Sequence, residues 1–560
     1  MPRKKNERKI VTIDCETNPF EYSVKVAPFV WGFFDGETYA YFWNECPEKC
    51  SRDLMDYLES EEEGTIVYAH NGGKFDFMFL LQYLDSDIMM INGRIAKATL
   101  FDGRIELRDS LLILPIALEQ YKKTEIDYMK FKPGVRSLHK NEIIRYLRDD
   151  CADLHTLVTE FIKNFGLNLT LAGTAFKEVK NTGYEITKTS AAFDDKFRPY
   201  YFGGRVQCFR VGNFYGDFKY VDINSAYPKA MTERHWFGAG TVEHVRLPEK
   251  ENGSWYATVT GVSKGALPLR HKEKESDTSK LFFPDDDTPR TYHASGWEIN
   301  KGLETGTLKI DKVLKVHKPA MLNDFTCYVE KFFDWKRQAE VDGDLIMRIF
   351  AKILLNSAYG KFAQDGRRFK KCCIVPVGEW PDNDAKWCAS KRWRWVEDIE
   401  TGHSIFERDD PQDLFFNVAT AASITANVRA YLWGSILQSD TPLYCDTDSI
   451  VCRKFNGPMG DKLGEWSMEA ELSEAHIAQR KMYALKTKDG EHRVASKGVR
   501  LDFDQIKNGI SKGEIVTFKK ESPSFSLRHG QRFIPRKINF ENLNKNIATT
   551  PESYYSSTTQ

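Results

Sequence analysis

The feature that most constrains the fold is an octapeptide, residues 443–450 (LYCDTDSI), in which two aspartates interrupt an apolar run. The apolar flanks predict two strands joined by a tight turn. Asp446 and Asp448 are two residues apart, so in extended geometry their carboxylates lie on the same side. Adjacent negative charges repel unless a cation lies between them, and oxygen ligands suit Mg²⁺. Taken alone, the octapeptide better fits an ordinary Asp-rich turn, so the metal interpretation depends on partners elsewhere.

Length and composition predict a large soluble protein with several domains. The 560 residues exceed what one core organises, and 41% are hydrophobic and 29% charged. Lys plus Arg equals Asp plus Glu at 80 each, which argues against a simple nucleic-acid-coating protein but not against an enzyme with clustered acids. Neither a signal peptide nor a membrane span is evident, because the longest uncharged apolar run is residues 111–118. The 11 scattered cysteines favour reduced thiols, and we expect a cytoplasmic protein.

Acidic residues also follow predicted strands near the N-terminus. Residues 9–16 (KIVTIDCE) alternate apolar and polar side chains, which predicts a half-buried strand with Asp14 and Glu16 on one face. Residues 65–70 (TIVYAH) predict a buried strand, and the Gly-Gly pair that follows allows a sharp turn before Asp76. An acidic motif of this kind at the end of a strand, taken alone, is typical of a solvated surface.

A predicted helix over residues 141–165 adds a fourth acid, because Tyr146 and Asp150 are four residues apart and so share one face. The four carboxylates together suffice for two metal ions about 3.5–4 Å apart. Tyr146 is then suited to orient an attacking water.

The order and spacing of these segments resemble the three motifs of the DnaQ-like 3′–5′ exonucleases. The resemblance implies a ribonuclease-H-like α/β domain in which Asp14, Glu16, Asp76 and Asp150 bind metal and Tyr146 assists. Residues 109–111 (DSL) and 123–128 (KTEIDY) resemble the primer-strand-binding and catalytic-lysine elements of one branch of family B DNA polymerases. This resemblance implies that Lys123 assists cleavage. It also implies that the residues holding a frayed 3′ end are Thr17, His70, Asn71, Phe75, Ser110, Leu111 and Tyr128.

A second set of motifs supplies the partners of the central octapeptide. Residues 218–228 (FKYVDINSAYP) predict a strand that delivers Asp222 and a turn closed by proline. Three carboxylates can hold two Mg²⁺ ions during in-line displacement at a triphosphate. Tyr227 is placed to lie under the sugar and exclude a 2′-hydroxyl. The backbone around residues 223–226 is placed to cradle phosphate oxygens.

The third partner is a predicted helix over residues 345–362. A polar stripe runs along it at i, i+4, i+8 and i+11 and consists of Arg348, Lys352, Asn356 and Tyr359. A solvated face is the ordinary interpretation of such a stripe. Cations aligned on one helix face also suit a polyanion, with the aromatic ring for an incoming base. Either Lys336 or Arg337 adds a further phosphate contact.

These three segments, in this order, resemble motifs A, B and C of the family B DNA polymerases, and residues 481–483 (KMY) match the family's KxY primer-binding motif. The resemblance implies catalysis by Asp222, Asp446 and Asp448, with the backbone of Ile223 as a further metal ligand. It implies nucleotide contacts from Ile223, Ser225, Ala226, Tyr227, Arg348, Lys352, Asn356 and Tyr359. It implies DNA contacts from Lys481 and Tyr483. Residues 201–205 (YFGGR) match the YxGG segment that joins exonuclease and polymerase domains, which implies DNA contacts from Tyr201, Gly203, Gly204 and Arg205.

The compact N-terminal region, the YxGG segment and inserts on both sides of motif B resemble the protein-primed polymerases of small linear-genome bacteriophages and linear plasmids. A Tx₂AR-like element is expected before motif C, but Thr420 is followed at the fourth position by Ile424, and the nearest arginine is Arg429. A small DNA-holding thumb is predicted from Lys519, Lys520, Arg528, Arg532 and Arg536, with a disordered tail from Asn544 as the alternative for the chain end.

The predicted fold is α/β and α+β multidomain: a ribonuclease-H-like exonuclease domain and a right-hand polymerase domain with two inserts. The predicted boundaries are 1–170 exonuclease, 171–233 first palm part, 234–325 first insert, 326–363 fingers, 364–416 second insert, 417–505 second palm part and 506–560 thumb and tail. The resemblance to the protein-primed polymerases implies that the two inserts are terminal-protein regions, of which one would hold the priming protein and the other would encircle DNA.

The expected activity is DNA-directed DNA synthesis with 3′–5′ proofreading, protein-primed initiation and strand displacement. The expected cofactor is Mg²⁺ at two two-metal sites, with Mn²⁺ as a substitute. The expected partners of a monomeric enzyme in the host cytoplasm are primer-template DNA, dNTPs and a terminal protein, with no membrane. One alternative is a family B enzyme that extends only nucleic-acid primers. Another is a DNA-binding nuclease whose second half merely clamps the strand.

Overall fold

The computed structural model describes residues 8–540 except 23, 123, 250, 272–279, 382–392, 400–401, 413–414, 514, 519–522, 528–529 and 534. The N-terminal elements are β1 (Ile10–Thr17), β2 (Pro28–Phe34), β3 (Tyr39–Trp43), α1 (Pro47–Glu59), β4 (Ile66–Ala69), β5 (Asp87–Ile91), β6 (Arg94–Leu100), β7 (Ile105–Asp109) and α2 (Lys140–Phe165). Short 3₁₀ helices lie at Gly72–Lys74, Asp76–Phe79, Leu81–Tyr83, Ser110–Leu112, Leu118–Gln120, Tyr128–Phe131 and Arg136–His139.

In the N-terminal sheet β1 is the third strand from one edge, parallel to β4 and antiparallel to β2, and β4 is parallel to β7. β1 carries fully buried Val11 and Ile13 between its polar positions. The apolar face of α2 includes Ile143, Leu147 and Cys151, all fully buried. The predicted strands at residues 9–16 and 65–70 and the predicted helix at 141–165 are therefore confirmed.

The middle of the chain contains both helices and strands. Its elements are α3 (Leu171–Asn181), α4 (Ala191–Phe197), β8 (Val206–Cys208), β9 (Gly212–Ile223), α5 (Ala226–Met231), β10 (His235–His244), β11 (Tyr256–Ser263), β12 (Leu269–His271), β13 (Lys280–Phe282), β14 (Arg290–Ser295), α6 (Gly296–Glu304), β15 (Leu308–Asn323), α7 (Thr326–Asp342), α8 (Leu345–Leu355) and α9 (Tyr359–Phe362), with a 3₁₀ turn at Arg198–Tyr200. β10, β15, β11 and β14 form an antiparallel sheet, and β12 pairs with β13. The long helices α7 and α8 pack against each other.

The last part of the chain completes a second large sheet. After a 3₁₀ turn at Gly366–Arg368, its elements are β16 (Lys370–Pro376), β17 (Arg394–Ile399), β18 (His403–Asp409), α10 (Val418–Gln438), β19 (Asp440–Asp446), β20 (Ser449–Lys454), β21 (Trp466–Gln479), β22 (Met482–Thr487), β23 (His492–Ser496), α11 (Phe503–Lys512), β24 (Ile515–Phe518), β25 (Ser524–Ser526), β26 (Gly530–Arg532) and β27 (Arg536–Asn539). Seven antiparallel strands, in the order β23-β22-β21-β9-β20-β19-β8, form the sheet that we call the palm sheet. α10 lies behind it and is buried over most of its length.

The segment containing β16 to β18 joins the N-terminal sheet, because β16 pairs with β5 and extends that sheet to ten strands. Cys372, Ile374 and Ile405 of this segment share a hydrophobic core with Phe77 of the N-terminal unit. Leu527, next to β25, is buried in the same core. Three distant parts of the chain therefore meet in one core.

The predicted continuous helix over residues 345–362 is wrong, because α8 ends at Leu355 and α9 begins at Tyr359. Asn356 and Ser357 donate side-chain hydrogen bonds to the carbonyls of Lys352 and Ile353, which compete with the continuing helical pattern. None of the helices in the described ranges is long and apolar enough to span a bilayer. Lys123, Lys519, Lys520, Arg528 and the chain end from residue 541 lie outside the described residues.

Candidate active sites

The palm sheet brings Asp222, Asp446 and Asp448 to one end of three adjacent strands. Ser449, the first residue of β20, pairs with Asp222 on one side and with Asp446 on the other. The turn between Asp446 and Asp448 is tight, because the Asp448 amide donates to the Asp446 carbonyl at 2.6 Å. The Ile223 amide donates to the Asp448 carbonyl at 2.9 Å, which fixes the residue after Asp222 against this turn. The sequence predicts that these three aspartates converge, and the register of the strands explains why they do.

Burial, followed by neighbouring negative charges, raises the pKa of Asp222 and of Asp448. Burial, followed by the charges of Asp448 and Glu469, raises the pKa of Asp222 to about 8. Burial and the charge of Asp446 raise the pKa of Asp448 to about 6, although Lys481 acts in the opposite direction. Glu469 was missed by the sequence reasoning. The available signal was its position on β21, two residues beyond Ser467, which pairs with Asp222.

Asp446 already has a full set of protein partners. Lys481 Nζ donates to both of its carboxylate oxygens at 3.0 Å, and the Tyr444 hydroxyl donates to Oδ2 at 3.1 Å. In the described residues, the three palm aspartates do not place their ligand oxygens within 4.8 Å of one another as the N-terminal cluster does. Lys481, which is predicted to contact a primer, is therefore bonded to Asp446, one of the predicted metal ligands. The Tyr483 ring packs against that of Tyr444 in a tilted arrangement, with ring centroids 5.1 Å apart.

Two non-glycine residues in the left-handed backbone region flank this site. Ser225, with φ 55°, follows Ile223 and Asn224, and Thr447, with φ 62°, separates Asp446 from Asp448. Such conformations cost about 1–3 kcal/mol each and persist where the surroundings impose them. The Thr447 amide donates to the Arg205 carbonyl at 2.6 Å, which is one such constraint.

The predicted nucleotide contacts lie on or next to three helices, α5, α8 and α9. Ser225 precedes α5 and Ala226 begins it, and Tyr227 on α5 stacks on Tyr359 of α9. Arg348 and Lys352 are exposed on α8, and within the described residues neither side chain has a hydrogen-bond or ion-pair partner. Two unpaired cations on one helix face can meet a triphosphate. Lys336 approaches Glu340 at 3.9 Å, so the choice between Lys336 and Arg337 stays open.

The YxGG segment contacts the palm turn through one of its two glycines. A Cβ on Gly204 would lie 2.9 Å from Thr447 Cγ2 and 3.1 Å from the Tyr227 hydroxyl, whereas a Cβ on Gly203 would meet open space. The Tyr201 carbonyl accepts a hydrogen bond from Arg270. The close approach expected of a Gly-Gly pair therefore applies to Gly204 alone.

Arg205 does not fit the phosphate contact predicted for it. It is 1% exposed, donates to Gln207 Oε1 and to the Gly265 carbonyl, and lies between the rings of Phe283 and Trp433 at 4.1 and 4.2 Å. A buried guanidinium with these partners stabilises the junction of two units. Its burial does not support the predicted DNA contact, and an arginine beside Gly-Gly gives no signal of that burial in the sequence.

The N-terminal carboxylates form a second, more compact site. Ligand atoms of Asp14, Glu16 and Asp150 all lie within 4.8 Å of one another. Burial, followed by neighbouring carboxylates, raises the pKa of Asp14 and of Glu16 well above the usual range. Burial raises the pKa of Asp150 to about 6, although a hydrogen bond from Tyr146 acts in the opposite direction. α2 thus delivers Tyr146 and Asp150 to the face of β1 as the spacing predicted.

Asp76 lies beside this cluster, and burial raises its pKa to about 7. Its Oδ1 atom is buried without a hydrogen-bond partner among the described residues. An orphaned carboxylate oxygen next to three mutually repelling carboxylates fits a divalent cation, which would supply the missing partner. Cys15 forms a hydrogen bond with Asp76, a contact that the sequence did not indicate.

The surroundings of the second site are built by a buried network. Asn71 adopts a left-handed conformation (φ 62°) and accepts from Arg94, which also pairs with buried Asp109 at 2.5 Å. Gly73 is required for close approach, since a Cβ there would lie 2.0 Å from the Ile95 carbonyl oxygen. His70 is hydrogen-bonded to Ser110 at 3.0 Å and to the Ile116 carbonyl at 2.8 Å. Both predicted DNA contacts, His70 and Ser110, therefore have protein partners.

The remaining predicted DNA contacts differ in exposure. Tyr128 is 58% exposed, with its hydroxyl 3.5 Å from that of Tyr146, whereas Thr17 is buried. The Leu111 amide donates to Asp109 Oδ1 at 3.0 Å. The Phe75 ring contacts Phe525 of β25 at a centroid distance of 5.2 Å, so a distant part of the chain covers one of its edges.

Two clusters of buried acidic residues lie on separate sheets, one on the N-terminal sheet and one on the palm sheet, as expected of a nucleic-acid enzyme with two centres. A family model described as DNA polymerase type B, organellar and viral, matches residues 116–389. The chain is 35% identical to the DNA-directed DNA polymerase of Enterobacteria phage PRD1 over 569 aligned positions, covering 96% of this chain and 99% of the phage enzyme.

Solved structures agree on the fold. The orthorhombic crystal structure of phi29 DNA polymerase matches with a TM-score of 0.71 at 16% identity, covering 95% of this chain and 100% of that one. Phi29 DNA polymerase complexed with primer-template DNA and incoming nucleotides matches with a TM-score of 0.69 at 17% identity and the same coverage. The chain belongs to the family B DNA polymerases and is a DNA-directed DNA polymerase. The predicted multidomain α/β and α+β fold is confirmed.

Proposed function

We propose that the enzyme adds dNTPs to a primer at Asp222, Asp446 and Asp448 and removes 3′ nucleotides at Asp14, Glu16, Asp76 and Asp150. The observation that supports this division is the presence of two buried acidic sites on two different sheets. The solved relative in complex with primer-template DNA and incoming nucleotides supports the same substrates for this chain.

In the addition step, the primer 3′-hydroxyl oxygen forms a bond to the α-phosphorus and pyrophosphate leaves. Family B polymerases use divalent metals, and Mg²⁺, with Mn²⁺ as a substitute, would be held by the three palm aspartates and the Ile223 carbonyl once Lys481 has left the Asp446 carboxylate. The metal would supply charge neutralisation. Arg348 and Lys352 face solvent without partners in the described ranges and bind the triphosphate oxygens. Tyr227 restricts the space at the sugar 2′ position.

In the degradation step, a water attacks the terminal phosphodiester and the 3′ nucleotide leaves. Tyr146 is hydrogen-bonded to Asp150 and lies near Tyr128, so it can orient that water. The orphaned oxygen of Asp76 and the three clustered carboxylates would hold the metal ions. Lys123, proposed to assist, lies outside the described residues.

A direct test follows the fate of a 5′-labelled primer on a template. The primer should lengthen when dNTPs are present and shorten from its 3′ end when they are absent. Shortening without any lengthening would favour a nuclease that only clamps DNA.

We also propose that synthesis starts on a hydroxyl of a terminal protein. The support is the pair of structured inserts, a four-stranded sheet on one side of the α7–α8 helices and the β16–β18 segment on the other. In the order of the chain, the two inserts flank the helices that carry the proposed nucleotide contacts.

Strand displacement is proposed from the same arrangement. β16 pairs with the N-terminal sheet, and a cavity of about 980 Å³ lies between the N-terminal unit, α9 and this insert. Lys361, Lys370 and Lys371 line it and can contact the phosphates of a single strand. A path that admits one strand excludes the other.

Protein priming is tested by mixing the enzyme with its cognate terminal protein, a linear template and one labelled dNTP. A labelled protein–nucleotide adduct is expected. Failure to form the adduct, with normal extension of a DNA primer, would favour an enzyme that extends only nucleic-acid primers.

We propose that the enzyme acts as a monomer in the cytoplasm of a host cell, as its similarity to a phage enzyme supports.

A further inference from the structure

An arginine of α10 holds the main chain of the YxGG segment. Arg429 is 2% exposed, and its Nη1 donates to the carbonyl oxygens of Phe202 at 2.7 Å and Gly203 at 2.8 Å. Its guanidinium carbon also lies 5.7 Å from the centre of the Phe202 ring. One side chain therefore fixes two consecutive peptide groups. Because it is buried, it does not meet DNA at the surface.

The orientation of this guanidinium is set by a buried carboxylate. Arg429 Nε donates to Glu298 Oε1 at 2.7 Å, and both side chains are 1% exposed. Glu298 belongs to the capping box of α6, where it faces Ser295. A planar fork can bond a carboxylate and two carbonyls at once, whereas the single ammonium of lysine cannot keep the same geometry.

The held segment ends at the palm turn. Gly204 has no room for a Cβ beside Thr447, and the Arg205 carbonyl accepts the Thr447 amide at 2.6 Å. Thr447 has φ 62° and separates the two aspartates of the turn. The contacts are therefore continuous from Arg429 through four residues of main chain to the backbone between Asp446 and Asp448.

We propose that Arg429 is a positioning residue of the polymerase site: through the main chain of residues 202–205 it holds Thr447 and so sets the carboxylates on either side. It acts without touching the substrate. The inference rests on the proposed assignment of Asp446 and Asp448 to nucleotide addition. Displacement of reacting groups by about 1 Å costs on the order of 100-fold in rate, so a loosened turn should be visible in kcat.

The test compares Arg429→Lys with Glu298→Gln and with Arg136→Lys as the matched control. Arg136 is also buried and bonds Glu45, but it lies in the N-terminal unit. Amide hydrogen exchange of peptides covering 202–205 and 444–449 reports how firmly the backbone of the segment and of the turn is held. Primer extension and 3′–5′ degradation of single-stranded DNA are measured on the same preparations, with thermal unfolding as a check of folding.

In Arg429→Lys, exchange should rise in both peptides and kcat for extension should fall on the order of tenfold or more, while degradation stays within about twofold. Glu298→Gln keeps an acceptor for Arg429 and should show the same pattern more weakly. If Arg429→Lys does not fold, Glu298→Gln is the variant that tests the inference. Unchanged exchange at 444–449, or equal loss of both activities in the folded variants, would overturn the inference. If the wild-type enzyme itself does not degrade DNA, the exonuclease assignment fails. The hydrogen-exchange result then still decides whether Arg429 positions the turn.

Discussion

Tyr227 and Tyr359 stack face to face, with ring centroids 4.2 Å apart and ring planes 8° from parallel. Tyr227 follows Asp222 by five residues and Tyr359 begins α9, so the stack joins the palm sheet to the helices above it. The Tyr227 hydroxyl also approaches Gly204, where an added Cβ would lie 3.1 Å away. A side chain supported on two sides has little freedom to retreat from a sugar.

The first prediction is that Tyr227→Val relaxes sugar discrimination. Removing the ring opens space at the 2′ position, so the preference for dNTP over rNTP, measured as the ratio of kcat/KM values, should fall by about 10- to 200-fold. Tyr359→Phe keeps the stacked ring and should leave that ratio unchanged. A Tyr227→Val enzyme with wild-type discrimination would contradict the role given to this ring.

The second prediction concerns Asp222→Asn, which keeps the shape and removes the charge. Nucleotide addition should fall by at least about 10²- to 10³-fold, because one of the carboxylates proposed to hold the divalent metal is lost. Since Asp222 lies among like charges, the substitution should not lower the melting temperature. Degradation of single-stranded DNA serves as the internal control and should persist. Primer extension at the wild-type rate would exclude the palm aspartates from catalysis.

The third prediction is the converse variant, Asp14→Ala combined with Asp76→Ala. It removes two of the four N-terminal carboxylates, so 3′–5′ degradation should become undetectable while primer extension stays within about twofold of wild type. Leu138→Ser, on a residue of the same unit that is 81% exposed, is a neutral control. Parallel loss of extension would mean that the two sites are not independent.

Much of both sites was predictable because their signals are local. Alternation in residues 9–16 places Asp14 and Glu16 on one face whatever the rest of the chain does, and α2 likewise fixes Tyr146 against Asp150. The octapeptide at 443–450 forms its strand, turn and strand as predicted.

The rest depends on contacts distant in sequence. Lys481 pairs with Asp446 across 35 residues, and nothing in the KxY string indicates that partner. Arg205 is buried because Phe283 and Trp433 enclose it, and they lie 78 and 228 residues away along the chain. Charge and aromatic character are visible in a sequence, whereas burial is a property of the assembled fold.

A fourth prediction uses His235, which is fully buried. Its Nε2 donates to the Ala230 carbonyl at 2.7 Å and its Nδ1 faces the Ser423 hydroxyl at 2.8 Å, so the neutral ring is satisfied. Burial lowers its pKa to about 4, although the Ala230 carbonyl and Asp324 act in the opposite direction. The unfolded ring titrates near 6.5, so below that pH the unfolded chain binds the extra proton first.

The free energy of unfolding should therefore fall as pH drops from about 6.5 towards 4, by up to about 3 kcal/mol from this group. Denaturant unfolding of the wild type and of His235→Gln at several pH values isolates the contribution of His235 to the free energy of unfolding, because the variant cannot gain that proton. The difference between the two proteins should shrink as pH falls. A constant difference would show that the folded ring titrates normally.

The last prediction tests the pairing of β5 with β16, on which the extended N-terminal sheet depends. Asp87 lies opposite Cys373, and the adjacent pair is hydrogen-bonded, since the Ile374 amide donates to the Ser86 carbonyl at 2.9 Å. Opposed residues between such pairs have the shorter Cα separation, which suits a disulfide. Asp87→Cys should therefore cross-link to the native Cys373 on oxidation and raise the melting temperature. It should leave the proposed strand displacement intact if the sheet stays paired during synthesis. Asp87→Ser under the same oxidant is the control. A cross-linked enzyme that extends primers on single-stranded templates but stalls at duplex would show instead that this pairing opens during each round of synthesis.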